Sequence, residues 1–389
     1  MTLKTLADIT DLTGKKVFVR VDFNVPLDSE GNIVDDKRIR HALPTINQLL
    51  AHGVSQIVLA SHLGRPKNNE DHLKTDKVAA KLGELLGEEV AKVDGWGENG
   101  LPEAKIVMLE NIRFHLAEKS KDESERDAFG EQLASLADLY VNEAFSNSHR
   151  KHASMTSIPK FIPGYAGLGV EKEVEAISKA ILDPEHPLVA VIGGLKADKL
   201  AAVKNLLVTA DYVLIAGALA FNLRKAQGHN VGSSKVDDEG MAEMSEVVQE
   251  VNASDKVMLP DDAVVADDFS EGAAVKVVGI DEIEDGWMAL DIGPETRQKY
   301  VTQIREARTI LWFGPIGVFE MTPFADGTRE IGDAIAQSGA ISIVGGGDSA
   351  SAVKNLGLEE QMTLVSTGGG ASLEMIEGKE LPALKILEA

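Results

Sequence analysis

A chain of 389 residues exceeds what one hydrophobic core ordinarily organises, so two domains are expected. Its 44% hydrophobic and 26% charged residues are the balance of a soluble globular protein, and no run approaches the 18 apolar residues of a membrane-spanning helix. Zero cysteines exclude disulfides, thiolate metal sites and cysteine nucleophiles, and a net charge of −23 excludes a general nucleic-acid binder.

The first residues, Met1-Thr-Leu-Lys-Thr5, lack the apolar stretch of a signal peptide, and with the missing cysteines this leads us to expect a cytoplasmic location. Charge is unevenly spread. Residues 1–165 hold 21 Lys and Arg against 25 Asp and Glu, and the remainder holds 18 against 37. Seven of the 12 arginines and seven of the nine histidines also lie before residue 166. The N-terminal part is therefore where a small anion is expected to be received.

In chain order, residues 15–22 read as a strand ending at Phe23-Asn24-Val25-Pro26, where proline stops the ladder. A helix follows over 41–52, a strand over 55–60 ending in Ser61-His-Leu-Gly-Arg-Pro66, and a helix over 75–86 capped by Thr75 or Asp76. Residues 105–109 form a strand ending in Glu110-Asn-Ile-Arg-Phe114, 123–137 a helix, and 139–141 a strand ending in Asn142-Glu-Ala-Phe145. Repeated strand, polar tip and helix imply a parallel sheet with right-handed crossovers, whose ligands gather at the carboxyl ends of the strands. Asp22, Asn24, His62, Arg65 and Arg113 should then share one face.

After Pro163-Gly164 a long helical stretch, 171–182, ends at Asp183-Pro184 and reads as a connector. A second series of strands covers 188–192, 212–216, 256–259, 309–313, 341–344 and 362–365, with tips at Gly193-Gly-Leu-Lys196, Gly217, Pro260-Asp-Asp262, Gly314-Pro-Ile-Gly317, Gly345-Gly-Gly-Asp348 and Ser366-Thr-Gly-Gly-Gly370. One series collects arginine at its tips and the other collects glycine.

The run Ile341-Ser-Ile-Val-Gly-Gly-Gly-Asp-Ser349 carries the most chemistry. Three glycines let successive amides turn toward one concavity, a nest that binds phosphate; a tight turn needing close packing would use them equally well. Asp348 offers a carboxylate to a divalent cation, and Ser349 reads as the N-cap of the next helix. Lys196 and Lys199 share one helix face after Gly193-Gly194, as phosphate ligands at a helix N-terminus or as solvated surface lysines. Arg38, Arg65, Arg113 and Arg150 would each alone suggest a surface ion pair; placed at successive tips, their forks match phosphate and carboxylate oxygens.

A Walker A loop is absent. The single Gly-x-Gly-x-x-Gly, at Gly95, Gly97 and Gly100, precedes Pro102 and a strand-like run where a dinucleotide site needs a helix. His149 and His152 lack a third zinc ligand nearby and read as a polar loop. These points weigh against a nicotinamide-dependent dehydrogenase, and the arginine-bearing tips weigh against a non-catalytic nucleotide-binding scaffold.

Six words in order, Arg20-Val-Asp-Phe-Asn-Val-Pro26, Ser61-His-Leu-Gly-Arg-Pro66, Leu109-Glu-Asn-Ile-Arg-Phe114, Gly314-Pro-Ile-Gly-Val-Phe-Glu320, Val344-Gly-Gly-Gly-Asp348 and Ser366-Thr-Gly-Gly-Gly-Ala-Ser-Leu-Glu374, make the chain resemble the phosphoglycerate kinases along its length. The resemblance implies a monomer of α/β class, with two Rossmann-like domains of parallel sheet joined by a long helix and a hinge. Residues 1–168 would bind 3-phosphoglycerate through Asp22, Phe23, Asn24, Arg38, His62, Leu63, Gly64, Arg65, Arg113 and Arg150. Residues 169–377 would bind ATP or ADP with Mg²⁺ through Lys199, Glu320 on the ribose, Gly345, Gly346, Gly347 and Asp348, with Asp348 on the metal. Residues 378–389 would return to the first domain.

Arg38, Lys196, Lys199 and the Gly346 amide would act on the transferring phosphoryl group, with no nucleic acid or membrane involved. The chain departs from the family pattern at several points. Lys196 and Lys199 are three apart instead of four, Phe313 and Ala218 replace asparagine and glycine, and Glu143 and Ser146 replace aspartate and glycine.

Overall fold

Continuous β-branched and aliphatic runs between amphipathic helices can only be buried on both faces, and parallel sheets covered by helices achieve this. The computed structural model describes residues 2–195, 199–366 and 368–389. The chain divides into two compact units, Met1–Glu175 with Glu380–Ala389, and Ala176–Lys379.

In the first unit, β1 (Lys16–Val21), β2 (Gln56–Ala60), β3 (Val90–Lys92), β4 (Ile106–Met108), β5 (Leu139–Glu143) and β6 (Gly164–Ala166) form one parallel sheet in the order β3-β4-β2-β1-β5-β6. Every residue of β2, β4 and β5 is buried. Helices α1 (Lys37–Ala51), α2 (Asp76–Leu86) and α3 (Glu123–Ala134) make the crossovers. The chain runs outward from β1 to β2 on one side, then returns to β5 on the other. The switch point of the sheet therefore lies between β1 and β5, and ligands of open α/β sheets collect at such a crevice.

Helix α4 (Leu168–Leu182) follows β6. At the other end of the chain, α12 (Pro382–Lys385) packs into the first unit: the Ala383 amide donates to the Ser148 carbonyl at 3.1 Å, and the Lys4 amide to Leu387 at 2.9 Å.

The second unit holds β7 (Leu188–Ile192), β8 (Tyr212–Ile215), β9 (Val257–Met258), then β10 (Asp262–Ala266), β11 (Val275–Gly279) and β12 (Met288–Ile292), then β13 (Thr309–Phe313), β14 (Ile341–Gly345) and β15 (Leu364–Ser366). Six of them form a parallel sheet ordered β15-β14-β13-β7-β8-β9, with its switch point between β7 and β13. The helices are α5 (Leu200–Thr209), α6 (Gly217–Ala226), α7 (Met241–Ala253), α8 (Pro294–Glu306), α9 (Asp326–Ser338), α10 (Gly347–Asn355) and α11 (Gly370–Ile376). Trp312 is fully buried at the centre, and its indole N–H donates to the Gly314 carbonyl at 2.9 Å.

Four expectations need correction. Helix α1 starts at Lys37 and not at 41, which puts Arg38 in its first turn. The connector helix starts at Leu168 instead of 171. Asp262, expected at a strand tip, opens β10, one strand of a separate antiparallel sheet ordered β11-β10-β12. Ser349 is not an N-cap: α10 begins at Gly347, Gly346 holds the cap position with φ 100°, and the buried Ser349 hydroxyl accepts from the Gly314 amide at 2.6 Å. A positive φ suits glycine alone, so the cap residue is set by backbone conformation and the serine is free to tie two strand tips together.

Candidate active site

At the switch point of the first unit, charge is concentrated where the sheet is least able to hydrate it. Arg20 sits inside β1 with no exposed surface. Its Nε donates to Ser154 Oγ at 2.8 Å, Nη2 lies 3.2 Å from His62 Nδ1, and Nη1 reaches the Val21 carbonyl. Glu118, also fully buried, accepts from the Ser154 amide at 2.9 Å and hydroxyl at 2.7 Å. Burial raises the Glu118 carboxyl, and Arg20 opposes that rise. Arg20 and Glu118 are thus a buried charge pair joined through Ser154 beneath the site.

The strand tips build on this base. Asp22 accepts from the Arg38 guanidinium and from the Ser146 hydroxyl, and its other oxygen lies 4.0 Å from His62 Nδ1. Ser61 Oγ accepts from the Phe23 amide at 2.8 Å. Asn24 Oδ1 accepts from the Gly64 amide at 2.7 Å, and Arg113 Nη1 donates to the Gly64 carbonyl at 2.8 Å. Asn111 ties the same loops from below, accepting from the Leu63 and Arg113 amides and donating to Leu63 and Leu73 carbonyls.

The electrostatics follow from burial and crowding. Burial, then Arg20 and Arg150, lowers the Arg113 guanidinium to about 10. Burial, then Arg20, Arg113 and Arg38, holds His62 well below the ordinary imidazole value. His149 falls to about 4 through burial and Arg150, and His152 to about 3 through burial, Arg20, Arg113 and Arg150. Arg113 Nε, His149 Nδ1 and His152 Nδ1 are buried with no hydrogen-bond partner among the described residues. Crowded guanidinium groups of this kind accept a small polyanion, because it supplies both the missing negative charge and acceptors for their N–H groups.

Of the residues expected here, Asp22, Asn24, Arg38, His62, Gly64 and Arg113 are joined by these contacts, and Leu63 is buried under them. Arg150 is exposed but close enough to lower Arg113 and both histidines; Arg65 is exposed beside the Gly64 turn. Sequence reasoning missed Arg20, Glu118 and Ser154. A charge inside the otherwise apolar run Val17-Phe-Val-Arg-Val21 was the available signal. His149 and His152 lie in a loop, as expected, but they pack inward from it: His149 is half-buried and His152 only 8% exposed.

In the second unit, the β7 and β13 tips meet so closely that only glycine fits. A Cβ on Gly193 would stand 2.1 Å from the Pro315 carbonyl oxygen, and one on Gly217 2.9 Å from the same atom. Beside them lies a cavity of about 480 Å³, within the range of small-molecule sites. Its walls are mainly apolar and include Ala218, Phe221, Leu290, Val318 and Gly317, with Asp348 also on the lining. Gly345 has its own reason: a Cβ would stand 2.0 Å from the Phe313 ring, so Phe313 in place of asparagine packs directly on the glycine nest. The Lys199 ammonium donates to the Gly193 carbonyl at the start of α5. Asp348 and Gly347 are exposed in the first turn of α10, as is Glu320 after β13. Lys196, with Ala197 and Asp198, lies outside the described residues, as does Thr367.

Among the described residues no cluster of three His, Asp or Glu side chains could by itself hold a metal, and no helix is long and apolar enough to cross a membrane. An anion site of crowded arginines on one α/β unit, and a glycine-walled apolar cavity with an acid at its mouth on the other, define an α/β phosphotransferase.

Comparison with known proteins makes the class specific. The phosphoglycerate kinase family model matches residues 6–379. A phosphoglycerate kinase of Dictyoglomus turgidum is 46% identical over 400 residues, covering 100% of both chains, and one of Herpetosiphon aurantiacus is 45% identical over 397 residues, covering 100% of this chain and 99% of that one. Among solved structures, a phosphoglycerate kinase from Coxiella burnetii matches with TM-score 0.86 and 37% identity over 99% of this chain and 98% of its own. One from Pyrococcus horikoshii matches with TM-score 0.85 and 33% identity over 100% and 98%. The chain belongs to the phosphoglycerate kinase family: it is a glycolytic kinase whose phosphoryl group is exchanged with a carboxyl group.

Proposed function

We propose that the first unit binds 3-phosphoglycerate and the second binds ATP or ADP, and that the phosphoryl group passes directly between them. In the glycolytic direction the acyl phosphate of 1,3-bisphosphoglycerate breaks its P–O bond, the group moves to the terminal oxygen of ADP, and 3-phosphoglycerate keeps the bonding pair as a carboxylate. The observation that carries the reading is the convergence of Asp22, Arg38, His62 and Arg113 over buried Arg20, with three buried polar nitrogens lacking partners.

No general base is needed in the reverse direction. A carboxyl acceptor with a pKa near 4 is ionised at about pH 7, so no proton has to leave. What remains is positioning and charge neutralisation. Arg38 neutralises the transferring oxygens from the side of the first unit, while Lys199, with Lys196 as the alternative, and the Gly346 amide do so from the nucleotide side. Arg65, Arg113 and Arg150 fix the phosphate of phosphoglycerate. Phe23, Asn24, Leu63 and Gly64 shape its bed, and Glu320 takes the ribose hydroxyls.

Asp348 fits Mg²⁺: it is a single exposed hard-oxygen ligand beside the glycine nest, and Mg²⁺ characteristically combines one or two carboxylates with phosphate oxygens and water. The ion supplies charge neutralisation of the nucleotide phosphates when bound. The enzyme works as a cytoplasmic monomer, and closure by bending near residues 164–171 and 366–370 excludes the water that would hydrolyse the acyl phosphate.

A coupled assay with 3-phosphoglycerate and ATP tests the reaction, and titration calorimetry tests the sites: 3-phosphoglycerate and MgADP must each bind, and NADH must not. Small-angle scattering tests closure. The radius of gyration should fall most with both substrates present, and a ternary complex that scatters like the free protein removes the closing step while leaving the chemistry.

A further inference from the structure

A buried carboxylate in the second unit has no part in the chemistry above. Asp291, on β12, is 2% exposed, and the mechanism gives it no substrate to touch. Its Oδ1 accepts from the Ile292 amide at 2.9 Å and its Oδ2 from the Gly327 amide at 2.7 Å. Two glycine backbones lie directly on it: a Cβ would stand 2.3 Å from Oδ1 at Gly317 and 2.2 Å from Oδ1 at Gly327. Gly317 lines the cavity, and the same segment is tied twice more. The Gly317 amide donates to Thr328 Oγ1 at 3.3 Å and the Val318 amide to the Leu290 carbonyl at 2.9 Å. The cavity wall running from Pro315 to Val318, and Glu320 beyond it, is thus seated from behind on β12 and on the first turn of α9.

Burying a carboxylate without a direct cationic partner is costly, so a fold that needed only packing here would do better with an apolar side chain. The charged groups around Asp291 do not cancel it. Arg297 on α8 has its Nη1 3.1 Å from Asp326 and 3.3 Å from Glu330, both on α9, and Asp326 itself repels the buried charge. Burial therefore pushes the Asp291 carboxyl up to about 7, against the pull of the Gly327 and Ile292 amides and of Arg297.

We propose that Asp291 is a positioning residue for nucleotide binding, its buried carboxylate holding the Pro315–Val318 wall of the cavity in register with β12 and α9. The inference rests on the cavity being the nucleotide site. The ionised carboxyl accepts from both amides at once, and the protonated form gives up one acceptor position to its own O–H. The wall is accordingly firmest when Asp291 is charged, although the charged form is the costlier one to bury.

The test uses the full chain with MgADP calorimetry, steady-state KM for 3-phosphoglycerate, and thermal unfolding. Asp291→Asn should weaken MgADP binding about tenfold at pH 8, as losses of outer-shell partners do, and leave the KM for 3-phosphoglycerate unchanged. Its unfolding temperature at pH 8 should be no lower than that of the native protein, because the amide removes a buried charge. MgADP affinity of the native protein should fall from pH 8 to pH 6 more steeply than that of Asp291→Asn.

Native-like MgADP binding by Asp291→Asn, or a parallel loss of stability and of affinity for both substrates, overturns the proposal. Should that variant not fold, Thr328→Val decides: severalfold weaker MgADP binding supports the proposal, and unchanged binding overturns it. A native protein that binds 3-phosphoglycerate but not MgADP would instead remove the nucleotide reading of the cavity, and the role of Asp291 with it.

Discussion

The two parallel sheets offer contrasting chemistry at equivalent topological positions. Between β1 and β5 the first unit gathers Arg20, Arg38, Arg113 and three histidines held neutral by burial and by neighbouring arginines, with Arg150 the one that acts on His149. Between β7 and β13 the second unit gathers Gly193, Gly217, Gly314 and a mainly apolar cavity, with Lys235 and Asp348 as the charged residues of its lining and Lys199 beside Gly193. The first arrangement suits a small ligand that is nearly all charge, whose recognition would fall to side-chain forks. The second suits a ligand with a flat apolar end and a phosphate tail, which backbone amides and close walls serve better than long side chains. The same topological crevice thus carries two chemistries, set by what the strand tips bear.

The largest expected effect comes from removing a fork. Arg38→Ala should lower turnover by roughly three orders of magnitude, since one lost charge-stabilising donor in a transition state costs on the order of 3–4 kcal/mol. MgADP affinity measured by calorimetry should barely change. A variant with native turnover and only a raised KM would show that Arg38 contributes uniform binding, and the contrast between the units would then be one of affinity alone.

The corresponding change on the other side is Asp348→Asn. It should abolish the Mg²⁺-dependent part of ADP binding and leave 3-phosphoglycerate binding intact. Calorimetry with and without Mg²⁺ checks this, and an unchanged Mg²⁺ dependence would reduce Asp348 to a turn residue.

The smallest effect concerns stability. His152 titrates at about 3 in the folded protein and near its ordinary value when unfolded, so the unfolded chain binds the extra proton between those two values. Stability should thus fall as pH drops from about 6.5 toward 3, by on the order of 2 kcal/mol at pH 5 from this residue. In His152→Gln the drop in unfolding temperature between pH 7 and pH 5 should shrink. Saturating 3-phosphoglycerate should shrink it in the native protein too, because an anion beside the ring offsets Arg20 and Arg113. An unaltered pH slope in both cases would mean that the cationic unit carries no such latent strain.

Much of the site is written locally. Asp22, His62 and Arg113 each follow a strand by one to five residues, and the ends of the first two strands are marked by Pro26 and by Gly64 and Pro66. Arg38 was legible only through the family resemblance: its helix starts earlier than the apolar period shows, because Lys37 to Arg40 carry no apolar stripe apart from Ile39. Ser349 misled because a serine near a helix start is usually its cap, whereas here Gly346 takes that position and the hydroxyl serves Gly314.

The sequence by itself determined the two α/β series, the contrast of arginine with glycine at their tips, and membership of the family, since each is a matter of period, spacing or contiguous words. Only the tertiary structure decided the antiparallel sheet β11-β10-β12, the partnership of Arg20 with Ser154 across 134 positions, and the seating of Gly317 and Gly327 on Asp291. The physical reason is range. Backbone periodicity reports a few neighbouring residues, while burial of a charge and the fit of a glycine against a distant carboxyl depend on which elements the packed core brings together.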